Sequence, residues 1–237
     1  MITFHHPEFE CVVREELNIK DGPITEQDLL KVSDLECFNF DFKTEDIETL
    51  KCCKNLRQLD LNNYTEVFDF LDSFPLLEEL CIETHGKGYR VDFNIFSNLH
   101  NLKKLWVSGG SRSNMDLLHL NALIPLKDLR FLSLHEFGSV DLLFLVEMPW
   151  IEEFECRYGS EVANIESIKE LKKLSYLCIE GIEINDLNFL NSLPDSLILE
   201  MCGVEVHEGI NPDKLRRFRK VDISEMTVGN QPIHIVV

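Results

Sequence analysis

The chain has 237 residues, 44% of them apolar, and carries a formal charge of −19 from 23 Lys plus Arg against 42 Asp plus Glu. That apolar content is enough for a sizeable core. The charge disfavours nucleic acid or an anionic membrane as partner, because both need Lys and Arg to neutralise phosphate. No run is long and apolar enough to suggest a bilayer span.

The first ten residues include His5, His6, Pro7 and Glu8 and nothing like a secretory leader, so the expected location is cytoplasmic. His5 and His6 have no carboxylate or thiol at ligand spacing, and H-E-x-x-H is missing, so no metal and no cofactor is expected. Phe9, Val12, Val13 and Leu17 fall on one helical stripe, with Pro7 well placed near the helix start. Thr25 suits an N-cap before Leu29, Leu30 and Val32, and Asp28 favours the positive end of that helix. These residues predict a helical cap over 1–34.

Residues 35–237 read as a repeat solenoid with a C-terminal closing segment, the repeats running to about Val228. Aligned on the first leucine of L-x-x-L-x-L, units start at Leu35, Leu56, Leu77, Leu102, Leu129, Ile151, Leu174, Pro194 and Phe218, giving lengths of 20 to 27 residues. Leu174, Leu177 and Ile179, then Ile182, Ile184, Leu187, Leu190 and Leu193, give the clearest copy: a short strand followed by a tight, extended or 3₁₀-like return. One such unit cannot bury its apolar face, so the pattern predicts stacked copies. The expected fold is α/β, a leucine-rich-repeat solenoid forming a right-handed horseshoe or arc, with a parallel concave β-sheet and the helical cap covering the first unit. The unbroken period argues for a single structural domain.

The run from Pro7 to Leu17, followed by Asp21-Gly22-Pro23-Ile24-Thr25-Glu26-Gln27-Asp28-Leu29-Leu30 and the repeats, resembles the bacterial internalin-like proteins over nearly the whole chain. It departs from that family at repeat position 9, often Asn there. Here the position holds Lys43, Tyr64, His85, Gly110, Phe137, Gly159, Ile182, Cys202 and Met226, so loop backbone groups must find other partners. The resemblance implies a bacterial interaction protein, without host-cell adhesion, since no secretion signal accompanies it.

Eight cysteines, with no C-x-x-C, are expected to be structural thiols. The G-x-S-x-G and Walker motifs are also missing, and the repeats leave no room for a catalytic domain, so no enzyme is expected. Function should lie on the concave face, to which positions 3, 5, 7 and 8 point. There Trp106, Phe131, Tyr158 and Tyr176 come from successive units, with His135, Glu155, Arg157 and Glu180 among and around them. Exposed aromatics inside a charged rim suit a protein-binding surface, and the acidic rim suits a basic partner. The longest units add residues 86–93 and 111–118, from which Tyr89, Arg90 and Arg112 could form a rim beside Trp106.

The reading is therefore a non-catalytic protein–protein interaction scaffold. A sharper form is an inhibitor or immunity-like protein that sequesters one basic protein. Alternatives are a thiol-dependent redox or metal protein using Cys37, Cys52, Cys53 or Cys81, and a homo-oligomer.

Overall fold

The structure is a computed structural model that describes residues 2–37, 44–62, 68–84, 90–110, 115–207, 212–228 and 231–236. Helix α1 (Pro7–Leu17) buries Phe9 and Val13 and ends at Asn18, whose left-handed backbone returns its N–H to Arg14 and Glu15. In α2 (Glu26–Leu29), Thr25 and Asp28 form a reciprocal capping box. Asp46 of α3 (Thr44–Leu50) is fully buried and accepts the main-chain N–H groups of His5 and His6 at 3.0 and 3.1 Å. The cap is thereby fastened to the first return segment. Glu8 lies 2.9 Å from the His6 ring, so the histidine pair does have carboxylate neighbours. Among the described residues no group of three His, Cys, Asp or Glu side chains is arranged to hold a metal.

One strand per unit builds the main sheet in chain order. The strands are β1 (Asp34–Cys37), β2 (Gln58–Asn62), β3 (Glu79–Glu83), β4 (Lys104–Ser108), β5 (Phe131–His135), β6 (Glu153–Arg157), β7 (Tyr176–Glu180), β8 (Ile198–Cys202) and β9 (Lys220–Val228), all parallel. β10 (Gln231–Val236) folds back antiparallel on β9. Alternation decides the faces: Leu59, Leu61, Leu80, Ile82, Leu105 and Val107 point inward and are buried, while positions 3, 5 and 7 face the concave side. From the second unit onward, 3₁₀ segments such as Phe93–Phe96 and Leu142–Glu147 line the opposite side, and Asp92 and Asp141 cap them through the N–H groups of Asn94 and Leu143. No helix of the described residues is long and apolar enough to cross a membrane.

Two units differ in register from the sequence reading. Leu35 pairs with Leu59 and Cys37 with Leu61, so the first unit starts at Val32, and Cys37 is buried in the core instead of facing the concave side. Leu177 pairs with Leu199, so the eighth unit starts at Ser196, two residues after Pro194. Cys202 then occupies concave position 7, beside Glu180 and Ser224, and not position 9. A two-residue slip keeps each side chain on its face, whereas a three-residue slip inverts it.

The missing asparagine ladder is replaced by main-chain bonds. The position-8 N–H of Glu136, Tyr158, Gly181 and Gly203 donates to the position-7 carbonyl of the next unit, at 2.7 to 3.1 Å. These four residues have φ between 54 and 61°, a left-handed bend that turns the chain out of the sheet. Phe137 fills the following slot, buried against Gly159, where a Cβ would overlap its ring.

The described parts of the two longest units include short return strands. Arg90–Asp92 pairs in parallel with Asp116–Leu118, as Ser139–Asp141 does with Glu161–Ala163. Arg90, one of the expected rim residues, pairs with Asp116 at 3.2 Å on the return strand. Tyr89 and Arg112 lie outside the described residues.

Candidate functional site

The concave sheet brings the sequence-selected residues together as neighbours, because adjacent parallel strands lie about 4.8 Å apart. Trp106 on β4 lies over Phe131 on β5, ring centroids 4.5 Å apart and tilted by 40°. Phe131 is only 8% exposed, so the expectation of an exposed ring there is corrected: it supports Trp106 from within the face. Trp106 is itself half-buried, and Tyr158 is 51% exposed at the edge. Tyr158 reaches that edge because its left-handed backbone swings it over Gly181, where its hydroxyl donates to Glu180. Tyr176 on β7 is half-buried and donates to Glu200 at 2.9 Å.

The charged residues form one continuous network. Glu155 accepts from Ser133 at 2.9 Å, lies 3.2 Å from His135 Nε2 and accepts from Arg157 at 3.0 Å. Arg157 also donates to Glu180 at 3.3 Å. Burial alone would raise the Glu155 carboxyl, but the bonds from His135 and Ser133 and the Arg157 charge together hold it below the ordinary glutamate range. Ser133 is 1% exposed and escaped sequence reasoning; only its position-5 spacing, beside Trp106 and Glu155, could have drawn attention to it.

Ser133, His135 and Glu155 contain the residue types of a hydrolase triad, but the geometry is wrong for one. Ser133 Oγ and Glu155 Oε2 both approach the same nitrogen, His135 Nε2, at 2.9 and 3.2 Å. A triad requires the carboxylate on the nitrogen opposite the serine, where it orients the ring. These groups stiffen the sheet face.

The thiols give little support to redox chemistry. Burial pushes Cys53, Cys81 and Cys156 up to about 12 and Cys178 to about 11, and it pushes Cys37 up as well. A reactive cysteine needs the opposite shift. All eight cysteines are free.

A second surface lies on the convex side: a groove of about 820 Å³ lined by Leu117, Ile124, Leu143, Val146 and their neighbours. Leu143 and Val146 are 57% and 42% exposed there.

No family model matches this chain, and no curated protein does. Solved structures do. Internalin C2 from Listeria monocytogenes aligns over 93% of both chains with a TM-score of 0.66 at 19% identity. A leucine-rich-repeat protein from Leptospira interrogans aligns over 75% of this chain and 44% of its own, with a TM-score of 0.59 at 22% identity. The plant peptide hormone receptor RGFR1, solved in complex with RGF2, aligns over 88% of this chain and 39% of its own, with a TM-score of 0.50 at 13% identity. At these identities the likeness concerns the fold, and that fold is the bacterial, internalin-like leucine-rich-repeat solenoid.

Proposed function

We propose that the protein is a non-catalytic scaffold that binds another protein on its concave face. The observation that carries this reading is the composition of that face around Trp106. A half-buried tryptophan on a Phe131 base sits beside a hydrogen-bonded network of polar and charged groups from Ser133 to Glu180. Such anchors lose little side-chain entropy on binding, because their rotamers are already held. The leucine-rich-repeat fold supports a protein partner in general terms, and the plant receptor of similar fold is described in complex with RGF2. The excess of acidic residues favours a basic partner over nucleic acid or anionic membrane. In its sharper form the protein is an inhibitor or immunity-like chain that sequesters one basic protein. Eight free thiols are in keeping with a reducing cytoplasm.

Affinity capture from native lysate tests the reading with three baits. These are the wild type, Trp106→Ala/Tyr158→Ala on the concave side, and Leu143→Ser/Val146→Ser on the convex side. A protein held by the first and third baits and lost from the second is the expected result. Loss from the convex variant alone would move the binding surface to the groove. Self-association is the other reading, favoured by β10, whose pairing is described on one side only. Sedimentation velocity of the wild type separates the two.

A further inference from the structure

Carboxylates on the concave face are unevenly satisfied. Toward the C-terminal end, Glu155 and Glu180 share Arg157, while Glu200 holds Tyr176 and Lys220. Toward the N-terminal end, Glu36 on β1 and Asp60 on β2 are register neighbours, and neither has an ion-pair partner among the described residues. The nearby cations are committed elsewhere: Arg57 and Lys103 both pair with Glu78, and Lys104 pairs with Glu79 at 2.9 Å. Two neighbouring carboxylates without a counter-charge repel each other and work against folding. A cation supplied from outside would relieve that repulsion.

The same row of the sheet runs from Glu36 through Asp60 and Cys81 to Trp106. The middle of the acidic pair is therefore roughly 12 Å from the Trp106 position. That distance matches residues i and i+4 of an extended segment, which lie about 13 Å apart and point to the same side. The Trp106 ring already draws a cation, with Lys104 Nζ 5.9 Å from its centroid.

We propose that the N-terminal half of the concave face docks an extended arginine-rich segment of a partner protein, one guanidinium on Glu36 and Asp60 and a second on Trp106. The proposal rests on the concave-face reading and narrows it. Arginine fits better than lysine because its planar fork bridges two carboxylates and stacks on indole. The groups facing Asp60 are Glu36 from β1, Gln58 on its own strand, and Glu79 and Cys81 from β3. Burial first, then the Glu36 charge, pushes the Asp60 carboxyl up to about 6. A docked guanidinium expels the remaining proton, so binding tightens as pH rises from about 5 to 7.

The test uses the full chain and nona-arginine as probe, titrated calorimetrically at near-physiological salt, with nona-lysine for comparison. Glu36→Gln/Asp60→Asn and Trp106→Ala are each expected to weaken nona-arginine by about tenfold, the scale of one charge-assisted pair. A double variant at the exposed convex residues, Glu161→Gln/Glu166→Gln, should stay within about twofold of wild type. Nona-lysine should bind more weakly than nona-arginine, and Asp60→Asn should flatten the pH dependence. Equal weakening in the concave and convex carboxylate variants would mean diffuse attraction to net charge and would overturn the proposal. Loss with Trp106→Ala alone would also overturn it while sparing the concave-face reading. Indifference to both concave variants would overturn the proposal as well, whereas the concave-face reading stands or falls on the capture experiment. Circular dichroism of each variant confirms that it is folded, and the near-isosteric amides keep the comparison fair.

Discussion

Asp60 and Glu155 are two half-hidden carboxylates on one sheet face, and their surroundings push them in opposite directions. The folded-state carboxyl of Asp60 is raised from 3.8 to about 6, chiefly by burial and then by Glu36. The folded state therefore holds that proton more tightly than the unfolded chain, and stability falls as pH rises through this interval. Asp60→Asn should accordingly melt at a higher temperature than wild type near pH 7.5, with the two curves converging below about pH 4. Equal melting temperatures at both pH values would contradict this. Glu155 behaves in the opposite sense. Its carboxyl is lowered on balance, so its contribution is present at neutral pH and is lost as acid protonates it. Glu155→Gln leaves Arg157 and His135 poorly satisfied and should cost about 1–3 kcal/mol in urea denaturation at pH 7, with a smaller gap in acid. Cysteine reactivity follows burial. Cys11 is the one fully exposed thiol among the described residues, and Cys37, Cys53, Cys156 and Cys178 are buried. Ellman's reagent on the native protein should label Cys11 and leave those four silent, whereas denaturant should release them.

At the scale of the repeat unit, the turn after each strand matters as much as the strand. Its main-chain bond from position 8 to the next position-7 carbonyl extends the ladder past the sheet. Phe137 plugs the slot behind that bond, and Gly159 leaves room for the ring. Phe137→Ala should cost about 3–5 kcal/mol through the cavity it opens. Gly159→Ala should also lower the melting temperature, because the added methyl needs the space of a buried ring. The strand pattern itself was legible: Leu-x-x-Leu-x-Leu spacing placed seven of the nine registers and put Trp106, Glu155 and Tyr176 on the concave side. The first unit was misread because Val32-x-x-Leu35-x-Cys37 ends in a cysteine, although Cys156 fills the same inward position in the sixth unit. Phe38 and Phe40 offered a second apolar pair with the same spacing and lie outside the described residues. The burial of Phe131 was beyond sequence spacing, which sets the face a side chain is on but not whether a neighbouring indole covers it. The left-handed backbone of Tyr158 was hidden for a related reason: glycine signals such a bend at Gly181 and Gly203, whereas tyrosine does not.

Across the whole molecule, the solenoid divides its surface by curvature. The convex side is built from 3₁₀ returns and offers the Leu143–Val146 groove. The concave side is built from parallel strands, so its side chains repeat at about 4.8 Å and form files instead of isolated contacts. At the C-terminal end the chain's own cations pair with the carboxylates, whereas Glu36 and Asp60 have no ion-pair partner among the described residues. A partner that spans both ends would meet an internally paired aromatic and ionic platform at one end and the Glu36–Asp60 pair, with Gln58 hydrogen-bonded to Asp60, at the other. Hydroxyl-radical footprinting of the complex with the captured partner measures this most directly. Occupation of the concave face predicts strong protection of Trp106 and Tyr158, with Leu143 and Val146 oxidised as in the free protein. Protection of Leu143 and Val146, with Trp106 and Tyr158 unchanged, would place the partner on the convex groove and contradict the concave-face function.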